Sequence, residues 1–407
     1  MAQDHRHLRT AVSVADCSRR PPGPPGAYQS TGADSSAPGV AQLVTTGQAD
    51  QAARADPPVR QCDGAQAEVG PVADQVPAPR VAALPALLAA AAATLGGTVR
   101  IHLDTDIGGD IDDLQALAYL LASPGVEITG ITTAAEQGGR RAGYVHQVLR
   151  LAGRTEIPVA AGIDVACGRF RCVPAYPSDE AYWGGPVPPV PGPAEDALAL
   201  LQRSLDAGAT LVGIGPWTNL AMLEETAPGS LSGAALVLLG TCAVPPQRGY
   251  PNWGPELDYN VQLDTAAART VLGTSMPVVV PLGPCLETAL RRTHVPRLRD
   301  AGPLGVLLAR QAEQFDRDVG NADKWAVEAP ALPPDTINPL HDPLACAIAV
   351  GWRDGVRVEP VHLRVEEVAG SLVACVSADG RPAQVVTAVD GLAFSETWVQ
   401  CITCVRS

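Results

Sequence analysis

The stretch Asp104-Thr105-Asp106-Ile107-Gly108-Gly109-Asp110-Ile111-Asp112-Asp113-Leu114-Gln115 sets five carboxylates within ten residues. A short apolar run, Val99 to Leu103, precedes it. Behind it, Leu114, Leu117, Ala118 and Leu121 recur at helical spacing. The acidic run therefore falls where a strand ends and a helix begins, the place where open α/β sheets bind ligands. Five like charges repel unless something positive sits among them, and a hard cation with oxygen ligands, Ca²⁺ or Mg²⁺, answers that need. Helix capping uses one or two such residues, not five. Asp112 and Asp113 fall in the first helical turn, where the helix dipole favours negative charge, while Gly108-Gly109-Asp110 also reads as a turn. An EF-hand does not fit, because Gln115 stands where that loop needs a bidentate Glu.

Outward from this stretch the pattern stays regular. Strands are expected at Val126–Thr133, Pro158–Ala160, Leu211–Ile214, Ala234–Leu239 and Pro277–Val280, and helices at Arg141–Leu151 and Ala194–Leu205. Alternating strands and helices predict βαβ units, hence an α/β fold with a doubly wound, mainly parallel sheet and flanking helices. Val356 to Cys404 alternates with turns at Asp379-Gly380 and Asp390-Gly391, which predicts C-terminal antiparallel strands. Residues 99–407 are read as one domain. Residues 1–80 contain no Ile, Phe or Trp and only Leu8 and Leu43 as leucines, so the segment lacks core-forming side chains and is expected to be a disordered extension. Residues 81–98 form an apolar connector, broken by Pro85 and too short to span a bilayer comfortably.

A formal charge of −14 argues against nucleic acid or an anionic membrane as partner. Ten cysteines are scattered through the chain. Cys401-x-x-Cys404 and Cys167-x₄-Cys172 are mismatched as zinc half-sites. Without a basic start and an apolar core of export type at the N-terminus, free thiols and a cytoplasmic location are expected.

The acidic stretch, DTDIGGDIDDLQAL, resembles the N-terminal signature of the inosine–uridine-type nucleoside hydrolases, with two residues more than the shorter DxDxGxDD loop of many members. Three further segments share the resemblance. Ile214-Gly215-Pro216-Trp217-Thr218-Asn219-Leu220-Ala221 follows a strand and is similar to the family's GPLTNxA turn, although Thr218 or Asn219 also reads as a plain helix cap. Asn252-Trp253-Gly254-Pro255-Glu256-Leu257-Asp258-Tyr259-Asn260 resembles the ribose-binding segment, with Asp258 where Glu is more usual. His341-Asp342-Pro343-Leu344-Ala345 resembles the family's HDPLA segment. The likeness spans residues 99 to about 355. It departs at Ala134-Ala135-Glu136-Gln137, where the family often carries an Asn; Glu136 stands in its place.

This resemblance implies a Ca²⁺-dependent enzyme that cuts the N-glycosidic bond of ribonucleosides, serving purine or pyrimidine salvage as a homo-oligomer. It implies a metal held by Asp106, Asp113, Asp342 and the Ile214 carbonyl. Asp106 would act as general base and His341 at the leaving base, which it would protonate or polarise. Asp112, Asn252, Asp258 and Asn260 would bind substrate, with Asp104 supporting the site. Asp264 is expected only to cap the helix that starts at Thr265. Two other readings compete. Asp104-x-Asp106 after a strand also suits a haloacid-dehalogenase-type phosphatase, but Lys324 is the chain's one lysine and phosphate needs basic partners. A non-catalytic nucleoside- or ribose-binding protein of the same fold is the other.

Overall fold

A computed structural model describes residues 98–164 and 177–404. The expected N-terminal extension, nearly all of the apolar connector and the Cys167/Cys172 pair lie outside the described residues. The central sheet has nine strands: β1 Val99–Thr105, β2 Val126–Thr133, β3 Val159–Ala161, β4 Thr210–Gly213, β5 Leu236–Leu239, β6 Val278–Val280, and after the small pair β7 Leu290–Arg291 and β8 Thr336–Asn338, β9 Arg357–Val368, β10 Ser371–Val376 and β11 Arg381–Ala388. Their spatial order is β10-β9-β11-β6-β5-β4-β1-β2-β3, with β7 and β8 forming a separate antiparallel pair. From β3 across to β6 every pairing is parallel. β11 continues the parallel run beside β6, then pairs antiparallel with β9, and β9 with β10. The doubly wound sheet with an antiparallel edge is therefore as expected. Its inner strands bury both faces, which is why Leu236–Leu239 and Val278–Val280 are unbroken apolar runs rather than alternating ones.

The helices α1 Asp112–Ala122, α2 Arg140–Leu151, α3 Ala194–Asp206, α4 Thr218–Thr226, α5 Tyr259–Leu263, α6 Thr265–Thr274, α7 Gly302–Val319, α8 Asn321–Glu328, α9 His341–Ala349 and α10 Gly391–Cys404 account for most of the rest. α9 packs against α1. Asp264 caps α6 as expected, accepting from Ala267 N. One expectation fails at the C-terminus. Gly391–Cys404 is a helix, not a strand, and the Asp390-Gly391 turn is its start, with Asp390 accepting from Ala393 N at 3.0 Å. Its β-branched and aromatic residues suggest a strand locally, but Phe394, Trp398 and Ile402 recur every four residues and all three are buried. Burial of that stripe overrides local propensity. Among the described residues no helix is long and apolar enough to cross a membrane.

In strand order the sheet reverses direction of winding between β1 and β4, since β2 and β3 lie on one side and β5 and β6 on the other. That switch point opens a crevice beyond the carboxyl ends of the two strands. Asp106 follows β1 there, and Ile214 follows β4.

Candidate active site

A cavity of about 320 Å³ occupies this crevice, within the range of small-ligand sites. Asp106, Asp110, Asp112, Asp113, His341 and Asp342 line its acidic side. Ile214, Trp253, Leu257, Asp258, Tyr259 and Asn260 line much of the remainder. Four separate segments of sequence thus converge at one end of the sheet.

The β1–α1 loop is shaped by its own side chains. Asp113 reaches back to accept from the Thr105 hydroxyl and from Asp106 N. Gly108 takes a φ of +107°, which a side chain would resist. Across the switch point the β4 turn comes close. A Cβ on Gly215 would stand 2.8 Å from Asp106 N, so only glycine lets that turn approach the loop. Asp112 and Asp113 open α1, and His341 and Asp342 open α9. The positive ends of two packed helices therefore face the same carboxylates.

Asp112, Asp113 and Asp342 are all buried, and one oxygen from each lies within 4.8 Å of the others. Burial and mutual repulsion push all three carboxyls well above the usual range. An oxygen-only, crowded and buried set of this kind suits a hard divalent cation. Asp106 stands apart from the trio. Its Oδ2 is 3.8 Å from Nη2 of the buried Arg141. Burial raises the Asp106 carboxyl and Arg141 partly offsets the rise. The sequence-based ligand set named Asp106 where the close cluster has Asp112. The Ile214 carbonyl is at the cavity wall and accepts from Asn260 Nδ2 at 2.6 Å, leaving it a second lone pair.

The ribose-binding candidates divide. Asn260 lines the cavity and bridges the carbonyls of Ile214 and Leu239 at the ends of β4 and β5. Asp258 also reaches the cavity, but its carboxylate already accepts from Thr241 N and Val261 N and caps α5. Asn252 is exposed and does not line the cavity; Trp253 beside it does. Its ring stacks on that of His341, with centroids 5.4 Å apart and 23° between planes. Trp325 of α8 packs behind Trp253 at 6.4 Å. His341 is 7% exposed, and neither ring nitrogen has a hydrogen-bond partner. Burial pushes its imidazole down to about 4.

Three residues have other duties than the sequence suggested. Glu136 does not face the cavity: it accepts from Arg141 N and Ala142 N and so caps α2, whose preceding glycine offers no side chain. Asn219 does not cap α4. It donates to Asp104 Oδ1 at 2.7 Å and to the Thr133 carbonyl, and accepts from Ile163 N. Thr218 donates to Asp264 instead of capping. Asp104 is 1% exposed and tied to Thr132 and Asn219. It does not line the cavity, which removes the nucleophile that the phosphatase reading requires.

Arg141 was missed in the sequence, yet a signal existed. It precedes Val145 and Val148 by four and seven residues, so it lies on the apolar stripe of α2. A charge on a buried stripe marks a functional or paired group.

Comparison with known proteins shows the family to which the chain belongs. Residues 101–396 match the family described as inosine-uridine preferring nucleoside hydrolase. The pyrimidine-specific ribonucleoside hydrolase RihA of Salmonella paratyphi C is 29% identical over 259 residues, covering 61% of this chain and 78% of its own. Among solved structures, a plant nucleoside hydrolase superposes with a TM-score of 0.60 at 20% identity, over 75% of this chain and 99% of its own. A purine-preferring ribonucleoside hydrolase from Gardnerella vaginalis gives 0.60 at 24% identity, over 75% and 98%. These two likenesses speak for the fold, and the family match, spread over all four of the segments that converge at the cavity, speaks for the chemistry. The chain belongs to the inosine-uridine preferring nucleoside hydrolase family and is an N-glycosidase.

Proposed function

We propose that the chain hydrolyses the N-glycosidic bond of ribonucleosides to free base and ribose with Ca²⁺ as cofactor. The observation that carries this reading is the meeting of Asp112, Asp113 and Asp342 in a buried cluster beside His341. Those three carboxylates would hold the ion, with the Ile214 carbonyl and Asp106 at its edge. When bound, the cation supplies positive charge that orients a water and the ribose diol.

The chain's own groups supply the rest. Asp106 lies outside the close cluster and accepts the proton of the attacking water. Cleavage passes through an oxocarbenium-like sugar, which the surrounding carboxylates stabilise. Asn260, its Nδ2 held by two carbonyls, offers its Oδ1 to accept from a ribose hydroxyl, while Asp258 fixes the loop that carries it. Trp253 presents an aromatic face to the base next to His341. With its pKa lowered, His341 is an uncharged imidazole at neutral pH. Its N–H donates a hydrogen bond to the leaving base, polarising it rather than delivering a proton from an imidazolium. Release of free base places the enzyme in base salvage. Cys285 and Cys346 are buried free thiols, which fits a reducing cytoplasm, and the family likeness supports a homo-oligomer.

A non-catalytic nucleoside-binding protein is the reading to separate. Ribose release from inosine and from uridine, assayed as reducing sugar before and after exhaustive chelation and Ca²⁺ re-addition, does so. The expected outcome is release that stops on chelation and returns with Ca²⁺. Tight nucleoside binding without ribose release would favour the binding protein.

A further inference from the structure

Arg141 is the buried charge that the reaction as described leaves unused. It is 1% exposed, at the start of α2. Its Nε donates to the Ala135 carbonyl at 2.9 Å and its Nη1 to the Ile107 carbonyl at 3.1 Å. Those carbonyls belong to the loops that follow β2 and β1, so the guanidinium is fixed from two sides before it meets Asp106. Its third nitrogen faces Asp106 Oδ2. A planar fork with five donors can serve three acceptors at once; a lysine ammonium on a flexible stem cannot bridge the same set. Ala135 adopts a φ of +50°, a left-handed conformation uncommon for a residue with a side chain, and it presents its carbonyl to the fork from there.

The other side of Asp106 is strongly negative, with Asp112, Asp113 and Asp342 sharing the cavity. Asp106 therefore stands between a fixed cation and the acidic cluster. A bound divalent cation would pull this carboxylate inward; the guanidinium pulls it to the wall.

We propose that Arg141 is a positioning residue that holds the Asp106 carboxylate at the cavity wall, oriented to accept the proton of the attacking water, and that weakens the hold of the neighbouring carboxylates on a divalent cation. This rests on the ribonucleoside-hydrolase reading. A mere strut between two loops would not produce the same pattern of effects.

The test compares Arg141→Met and Arg141→Lys with the full chain, by Ca²⁺ titration calorimetry and by steady-state cleavage of inosine and uridine. Removing the charge in Arg141→Met should tighten Ca²⁺ binding roughly tenfold, since one repelling charge is gone from a poorly screened site. The same change should lower kcat at least tenfold and leave KM within threefold. Arg141→Lys keeps the charge and loses the fork, so Ca²⁺ affinity should stay within threefold while kcat still falls. Unchanged or weaker Ca²⁺ binding in Arg141→Met would overturn the proposal. So would a kcat within threefold of wild type in either variant. If Arg141→Met yields no folded protein, Arg141→Lys decides alone: a kcat loss at constant KM and Ca²⁺ affinity upholds the proposal, and joint weakening of all three refutes it. A wild-type chain that neither binds Ca²⁺ nor releases ribose would instead sink the proposed function, whereas an active wild type with unresponsive variants sinks this inference alone.

Discussion

The molecule buries two polar clusters within a few residues of each other, and they are built on opposite principles. Beneath the cavity, His102, Ser204, Thr132, Asp104 and Asn219 form a chain of hydrogen bonds. His102 meets Ser204 Oγ through Nδ1 at 2.8 Å and Thr132 Oγ1 through Nε2 at 3.0 Å. Thr132 passes its hydroxyl proton to Asp104 Oδ1 at 2.5 Å, so His102 donates from Nε2 and accepts at Nδ1. In the cavity, by contrast, three carboxylates crowd together and His341 has both ring nitrogens without partners. Both histidines are buried and both are pushed toward the neutral form. Only one finds its partners within the protein. Buried polar groups are normally satisfied, so the lower cluster reads as scaffold and the upper one as a ligand site. The lower cluster is not perfect: Asp104 Oδ2 has no partner, and burial raises that carboxyl to about 7.

This contrast predicts different responses to substitution. The largest effect is expected in the acidic cluster. Asp342→Asn should lower kcat/KM on ribonucleosides by roughly 10³-fold, a loss like that of other charge-stabilising groups. The same change should raise the melting temperature of the metal-free protein, because it relieves like-charge repulsion at a buried position. A fall in the metal-free melting temperature would show that the cluster is scaffold after all.

His341 comes next. His341→Ala should lose about 10²–10³-fold on inosine or uridine, as when one hydrogen-bond donor to a developing anion is removed. On p-nitrophenyl riboside, whose leaving group departs unaided, it should keep most of its activity. An equal fall on both substrates would mean that the ring only packs beside Asp342.

Smaller effects should follow behind the aromatic wall. Trp325→Leu removes the ring that backs Trp253 without touching the carboxylates. KM should rise about three- to tenfold with kcat little changed, through lost base stacking. A drop in kcat at constant KM would assign α8 a different role.

The smallest effect on activity belongs to His102. Its folded-state pKa of about 3 lies below its ordinary 6.5. The unfolded chain therefore takes up a proton that the folded one refuses. The stability contributed by neutral His102 is complete above pH 6.5 and is lost as pH falls toward 3. Urea unfolding of wild type against His102→Gln should show a difference in stability that shrinks by up to about 1.4 kcal/mol per pH unit across that window, at nearly constant kcat near neutral pH. A pH-independent difference would mean that His102 keeps its ordinary pKa in the fold.

The parts legible from sequence were those whose pattern is local. β2 coincides with its expected span, and the sheet type follows from alternation of apolar runs. The carboxylate stretch is legible from its crowding of like charges, and His341 and Asp342 from their resemblance to the family's HDPLA segment. What stayed hidden depends on distant contacts. Glu136 looks like a site residue until the backbone N–H groups that consume it are in place, whereas Asp258 lines the cavity while also accepting from Thr241 N and Val261 N. Asn219 looks like a cap until β1 and β2 bring Asp104 and Thr133 beside it. The close set of Asp112, Asp113 and Asp342, and the placement of Arg141 opposite Asp106, exist only once α2 and α9 have packed. The last helix was misread because its buried stripe is visible only against the core it covers.

The account stands or falls on whether the buried carboxylates hold a cation that the reaction needs. The most direct measurement is calorimetric titration of the chelated chain with Ca²⁺, alongside the reducing-sugar assay on the same samples. Wild type should bind one Ca²⁺ and regain ribose release in proportion to occupancy, while Asp113→Ala should do neither. Full ribonucleoside cleavage by the exhaustively chelated protein, or by Asp113→Ala, would contradict the account.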